Sequence, residues 1–191
     1  MKTPPAELQA LRDLLTTSET PELGLGPRPG VQTLAELNQR LDRLLSQTPL
    51  PRARQELLRC TILLWHDHHE TAHEICQQIE NPDGSWLHGL LHRREPDYGN
   101  ARYWFHRVGR HPAFSMLAVA VAGLLESSAQ QPLSEKLLPR GQWNPFAFVA
   151  ECAQAAGRSG SLAQRGFLRQ IQALEFEVLL EYFWHGPSAS A

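Results

Sequence analysis

The sequence predicts an all-α protein, on three observations. Apolar residues recur at spacings of three and four along most of the chain, no stretch alternates with the period of a strand, and the periodic runs are separated by proline, glycine and asparagine. With 191 residues, 42% hydrophobic and 20% charged, the composition is that of an ordinary globular chain. The expectation is a bundle of seven or eight helices with one long central helix, forming one domain over residues 1–185 with a flexible tail at 186–191.

Taken in order, a first helix is expected over about Pro5 to Leu15, with Leu8, Leu11 and Leu15 on one side. The glycine- and proline-rich stretch from Thr17 to Gln32 reads as a loop, and Gly24-Leu25-Gly26 follows no strand, so it is no dinucleotide loop. A second helix spans about Leu34 to Leu45, and Pro49 and Pro51 break the chain before a third. That third helix, about Arg52 to Ile79, is the long central one. Leu57, Thr61, Leu64, His68, Ala72, Ile75 and Ile79 make a buried stripe along it. Asn81-Pro82-Asp83-Gly84 ends it as a turn, and Ser85 caps a short helix to about Arg93, which Pro96 stops. Asn100 caps the next helix through Val108, and an alanine-rich helix follows over Phe114 to Ser127. After a proline-rich connection come helices at about Phe146 to Ala155 and Leu162 to Trp184.

The net charge of −2 and pI near 6.5 argue against a nucleic-acid binder. The apolar run from Ala113 to Leu125 is too short to span a bilayer. The first residues carry no apolar run, which predicts no secretory leader. Cys60 and Cys76, placed on one helix, would lie roughly 24 Å apart at 1.5 Å per residue and could not bridge. Reduced cysteines and a cytoplasmic location follow as expectations.

Eight of the nine histidines fall between His66 and His111, and histidine is the side chain that binds metals or moves protons near neutral pH. On the wheel of one continuous helix, His66, His69, Glu70 and His73 share a side, and Glu70-x-x-His73 has the spacing of a carboxylate–imidazole ligand pair. His88 and His92 stand at i, i+4 on the next helix, a spacing from which two imidazoles reach one ion. Glu70, His73, His88 and His92 are therefore the candidate ligands of a divalent metal, zinc or iron first. Each also has a bland reading, as a hydrogen-bonded or solvated histidine. His68, within the apolar stripe, is either a structural core residue or part of a substrate cavity.

Between His92 and Arg110 five arginines interleave with Tyr98, Tyr103, Trp104 and Phe105, a pattern that grips anionic, flat ligands. Arg93, Arg94, His68 and Tyr103 are the candidate substrate-binding residues, with Arg93 the better placed of the two arginines. No catalytic residue is identified, and His69-Glu70 does not extend to the spacing of a zinc protease. The leading expectation is a metal-dependent enzyme acting on an anionic small molecule, hydrolytic or oxidative, with no nucleic-acid or membrane partner and a homo-oligomer left open. The rival is a non-catalytic helical binding or scaffold protein that uses the basic-aromatic segment.

Overall fold

The computed structural model describes residues 4–128, 130–157 and 160–186. Among them are ten α-helices, one 3₁₀ turn at Pro139–Gly141 and no strand. The helices are α1 (Ala6–Leu14), α2 (Leu34–Ser46), α3 (Arg52–Trp65), α4 (His69–Cys76), α5 (Pro82–Arg94), α6 (Tyr98–Val108), α7 (Ala113–Ser127), α8 (Gln131–Leu137), α9 (Pro145–Ala156) and α10 (Leu162–His185). The all-α bundle is as expected, with more helices because the long one is divided and because the stretch expected as a proline-rich connection before α9 contains α8. Apart from Gly186, the tail expected at 186–191 lies outside the described residues. No helix among the described residues is long and apolar enough to cross a membrane.

The division falls at His66-Asp67-His68. Asp67 takes the left-handed conformation, at φ 65°. Its N–H donates to the Leu64 carbonyl at 3.2 Å, and the His68 N–H donates to the Leu63 carbonyl at 3.0 Å. This is the Schellman closure of a helix C-terminus, normally built on glycine. Aspartate bears the steric cost of that conformation because its carboxylate is clamped. Arg28 Nη1 and Arg94 Nη2 each lie 2.6 Å from Asp67 Oδ1, and the Arg28 backbone N–H donates to Oδ2 at 3.1 Å. Arg94 also donates to the Leu64 carbonyl at the end of α3 and, through Nε, to the Glu22 carbonyl at 3.1 Å. Burial pushes the Asp67 carboxyl up, but Arg94 and Arg28 more than offset it and hold it below its usual range.

With the break, α4 folds back on α3, and the continuous helix wheel expected over 52–79 does not exist. Leu57, Thr61, Leu64 and Ala72 are buried as the stripe requires, but His68 is a half-buried N-cap position and not a core residue. The inference about the cysteines is overturned by the same fold: Cys60 and Cys76 meet across the α3–α4 contact within hydrogen-bond reach, all three cysteines being free thiols.

The central helix is α5 instead. From Gly84 to Arg94 every residue is buried, against α6 most extensively and α4 and α3 on other sides. Asn81 rather than Ser85 is its N-cap, accepting from the Gly84 N–H at 2.9 Å, and Pro82 opens the first turn. Gly89 lets α6 come close, since a Cβ there would stand 2.9 Å from the Phe105 ring. Likewise α6 is capped by Asp97, which accepts from the Asn100 N–H at 3.1 Å, leaving the Asn100 side chain free for another use. Thr33 and Glu36 form a capping box at the start of α2.

The segment from Leu15 to Thr33 is a belt held down by core side chains. Trp65 donates to Thr17, Gln172 to the Glu22 carbonyl, and the Gln32 backbone is held by His66 and His68. Apolar side chains of all ten helices join one core.

If the Asp67 clamp sets the α3–α4 break, Asp67→Asn keeps a residue tolerant of positive φ but leaves two buried guanidinium groups without a counter-charge. Its unfolding free energy in urea should fall by ~3–5 kcal/mol. Arg52→Ala, which removes an exposed i, i+4 pair with Glu56, should change it by less than about 0.5 kcal/mol.

Candidate functional site

Three of the four expected metal ligands come together. Where α4 packs on α5, the His73 ring stands 5.2 Å from that of His88 and 5.6 Å from that of His92, edge to face in both cases. The His88 and His92 rings are 6.0 Å apart and 22° from parallel, one turn apart on α5. His88 lies flat on Trp104 of α6, with centroids 3.9 Å apart and planes 10° from parallel.

The hydrogen bonds assign the tautomers. His88 Nδ1 faces the Gly84 carbonyl at 3.3 Å, and His92 Nδ1 faces the Glu95 carboxylate at 2.8 Å. Both partners only accept, so both Nδ1 atoms carry the proton and both Nε2 atoms present a lone pair. An imidazole tied by one N–H to a carboxylate or backbone carbonyl, with the other nitrogen basic, is the arrangement metal-ligating histidines use. His92 Nε2 receives the Asn100 amide N–H at 3.2 Å. Burial pulls the His92 pKa down, and Glu95 only partly restores it.

Cys76, one turn after His73, closes the group. Its thiol donates to the His73 carbonyl at 3.6 Å, and that of Cys60 to the Ala72 carbonyl at 3.3 Å. The neighbouring Cys60 thiol, with His88 and His73, pulls the Cys76 pKa down to about 6 against burial, which pushes it up. Cys60 moves the opposite way, raised by burial and by the neighbouring Cys76 thiol. Among the described residues, however, no group of three or more His, Cys, Asp or Glu side chains is already set to hold a metal ion.

Glu70 does not join. It is exposed and lines a separate cavity of about 380 Å³, together with His68 and His69 and with Leu25 and Gly26 of the belt. His66 and His68 are cross-links to the belt: His66 spans the Leu14 carbonyl at 2.8 Å and the Gln32 N–H at 3.1 Å, and His68 Nε2 meets the Gln32 carbonyl at 2.9 Å. His68 is thus spent on structure and takes no part in a substrate cavity at the imidazole group. His69 is buried with neither ring nitrogen bonded, and burial, with Arg94 close by, drives its pKa down to about 3.

The arginine assignments are corrected. Arg93 and Arg94 are 1% and 0% exposed and consumed by internal partners, so neither reaches a ligand from solvent. Arg93 Nη2 donates to Glu175 Oε2 at 2.5 Å and to Gln172 Oε1 at 3.2 Å, with its guanidinium 4.5 Å above the Phe148 ring. Arg94 holds the helix break described above. Arg107 is exposed, its guanidinium 5.3 Å over the ring of Trp104, on which His88 stacks, and it donates to the Tyr103 hydroxyl at 3.3 Å. Tyr103 is 52% exposed and edge-on to Trp104 at 5.4 Å.

Sequence reasoning missed Cys76, Asn100 and Glu95. The His73-x-x-Cys76 spacing was a readable signal for the first. Asn100 was hidden by its resemblance to a helix cap, and Glu95 by its place beside arginines that it does not pair with. No known protein family, curated protein or solved structure matches the chain.

The state of His69 has a measurable consequence. Its folded pKa lies below its unfolded value, so on acidification the unfolded chain takes the proton first and stability falls from about pH 6.5 down toward about pH 3. Between pH 7 and pH 5 this one ring should account for a loss of ~2 kcal/mol. His69→Leu removes two unpaired nitrogens at similar volume. It should be no less stable than wild type at pH 7 and lose ~2 kcal/mol less on moving to pH 5, as read from urea unfolding.

Proposed function

We propose that the protein is a metal-dependent enzyme acting on an anionic small molecule at the group formed by His73, Cys76, His88 and His92. The observation that carries this reading is the pair of preset tautomers: His88 and His92 are each tied through Nδ1–H and hold a basic Nε2 beside His73 and the Cys76 thiol. Three imidazoles and a thiol favour a borderline ion, zinc before iron. Such an ion, when bound, supplies Lewis acidity or an activated oxygen donor.

The chain's own residues do the rest. Glu95 and the Gly84 carbonyl hold the ligand rings in one tautomer and orientation. Asn100 shares His92 Nε2 and has to release it for an ion to take that lone pair. Trp104 backs the His88 ring, and Arg107 with Tyr103 forms a cationic, aromatic rim where an anionic group would rest. This rim takes over the role that the sequence had suggested for Arg93 and Arg94.

A second reading is a non-catalytic binding module. It is favoured by the absence, among the described residues, of three ligating side chains already gathered for an ion.

Zinc titrated into protein stripped with chelator separates the two. The enzyme reading expects one equivalent bound, with a rise in stability of ~2.7 kcal/mol at a hundredfold excess over Kd. His88→Ala and His92→Ala should abolish the uptake, Cys76→Ser should weaken it, and Glu70→Ala should leave it unchanged. Wild-type protein that takes up neither zinc nor iron(II) fails the metal reading and leaves the binding module.

A further inference from the structure

A second cleft, of about 610 Å³, lies between the α6–α7 connection and the start of α9. Its volume is in the range that encloses small organic ligands. Phe114 on α7, Trp143 in the connection to α9 and Phe146 in the first turn of α9 supply aromatic walls. No aspartate or glutamate lines it, while Arg110 does. Arg110 is exposed and makes no hydrogen bond or ion pair among the described residues, so its fork is uncommitted, in contrast to Arg93 and Arg94.

A donor is also left over. Trp143 is 6% exposed, and its indole N–H is buried without an acceptor. Buried indole donors normally find a partner, as Trp86 does on Glu175 at 2.8 Å; that of Trp143 is unmatched within the chain. Two glycines shape the cleft. Gly109 and Gly141 take φ of 61° and 75°, and a Cβ at either would meet nothing within 4 Å, so the lining there is bare backbone beside open space.

We propose that this cleft is a binding site for a planar aromatic carboxylate, its ring packed among Phe114, Trp143 and Phe146 and its carboxylate gripped by Arg110. Aromatic walls accept a flat apolar body by stacking or edge contact. A planar guanidinium matches a carboxylate with two parallel hydrogen bonds, which a neutral analogue cannot make. The cleft shares no lining residue with the imidazole group of α4 and α5 and does not depend on metal there.

The probe is 2-naphthoate, with uncharged 2-naphthalenemethanol as its control, titrated by calorimetry into full-length protein kept metal-free with chelator. Wild type is expected to bind naphthoate at least about tenfold more tightly than the alcohol. Arg110→Ala should erase that preference while leaving the alcohol's affinity and the melting temperature unchanged, and Arg110→Lys should restore only part of it. Ser115→Trp, which fills the cleft from α7, should lose both ligands, and naphthoate should shift the Trp143 indole resonance in ¹⁵N–¹H spectra. The proposal is overturned by wild type that does not bind naphthoate at millimolar concentration or binds the alcohol as well. It is equally overturned by an Arg110→Ala protein that keeps the preference, or by folded Ser115→Trp protein that binds both ligands as wild type does.

Discussion

The carboxylate of Asp67, shared by Arg28 and Arg94, is the constraint on which the rest of this structure depends. It holds a non-glycine residue in the left-handed region, ends α3 where the hydrophobic pattern would have continued it, and turns α4 back across the bundle. That reversal puts His73 and Cys76 against α5. Removing a buried charge partner costs far more than the pair contributes over an apolar substitute, so such a cluster is better understood as enforcing one arrangement than as adding net stability. The two guanidinium groups also act on each other: burial, partly opposed by Asp67, and the proximity of Arg28 and Arg93 lower Arg94 to about 10.

The second organising element is α5, a helix buried on every side that nonetheless carries two arginines and two histidines. Its polar residues are sorted by direction. Arg94 reaches the end of α3 and the belt, Arg93 reaches Glu175 and Gln172 on α10, and His88 and His92 face α4 and α6. Glu175 accepts from both Arg93 and Trp86, so α10 is locked to α5 by a single carboxylate. Buried charge is tolerable on this helix because nearly every group has a counter-charge or a carbonyl within reach. The exception is Arg93, whose Nε and Nη1 have no partner, its guanidinium lying 4.5 Å over the Phe148 ring.

The histidine-dense segment therefore divides into different kinds of chemistry. His66 and His68 are cross-links between the helix break and the belt, His111 joins Asp83 at 2.8 Å, and His73, His88 and His92 gather where α4 packs on α5. The density is real, but most of it serves packing. What distinguishes the remaining three is the second partner on each α5 ring, which sets the proton on Nδ1 and leaves Nε2 basic.

The sequence by itself determined the helical class and the positions of most helix starts and stops. These depend on short-range periodicity and on caps and prolines, whose physics is local. Asp67 was not legible as a break, because aspartate stops a helix there only when two arginines, one 39 residues before it and one 27 after, close on it. The roles of Arg93 and Arg94 were not legible for the same reason: adjacent arginines on a helix end look free until the partners on α10 and the belt are in place. Cys60 and Cys76 lie 24 Å apart on a straight helix and touch on a broken one. Tertiary structure alone decided which charges are spent on the fold and which, like Arg107 and Arg110, are left over, because burial and long-range partners exist only once the chain is packed.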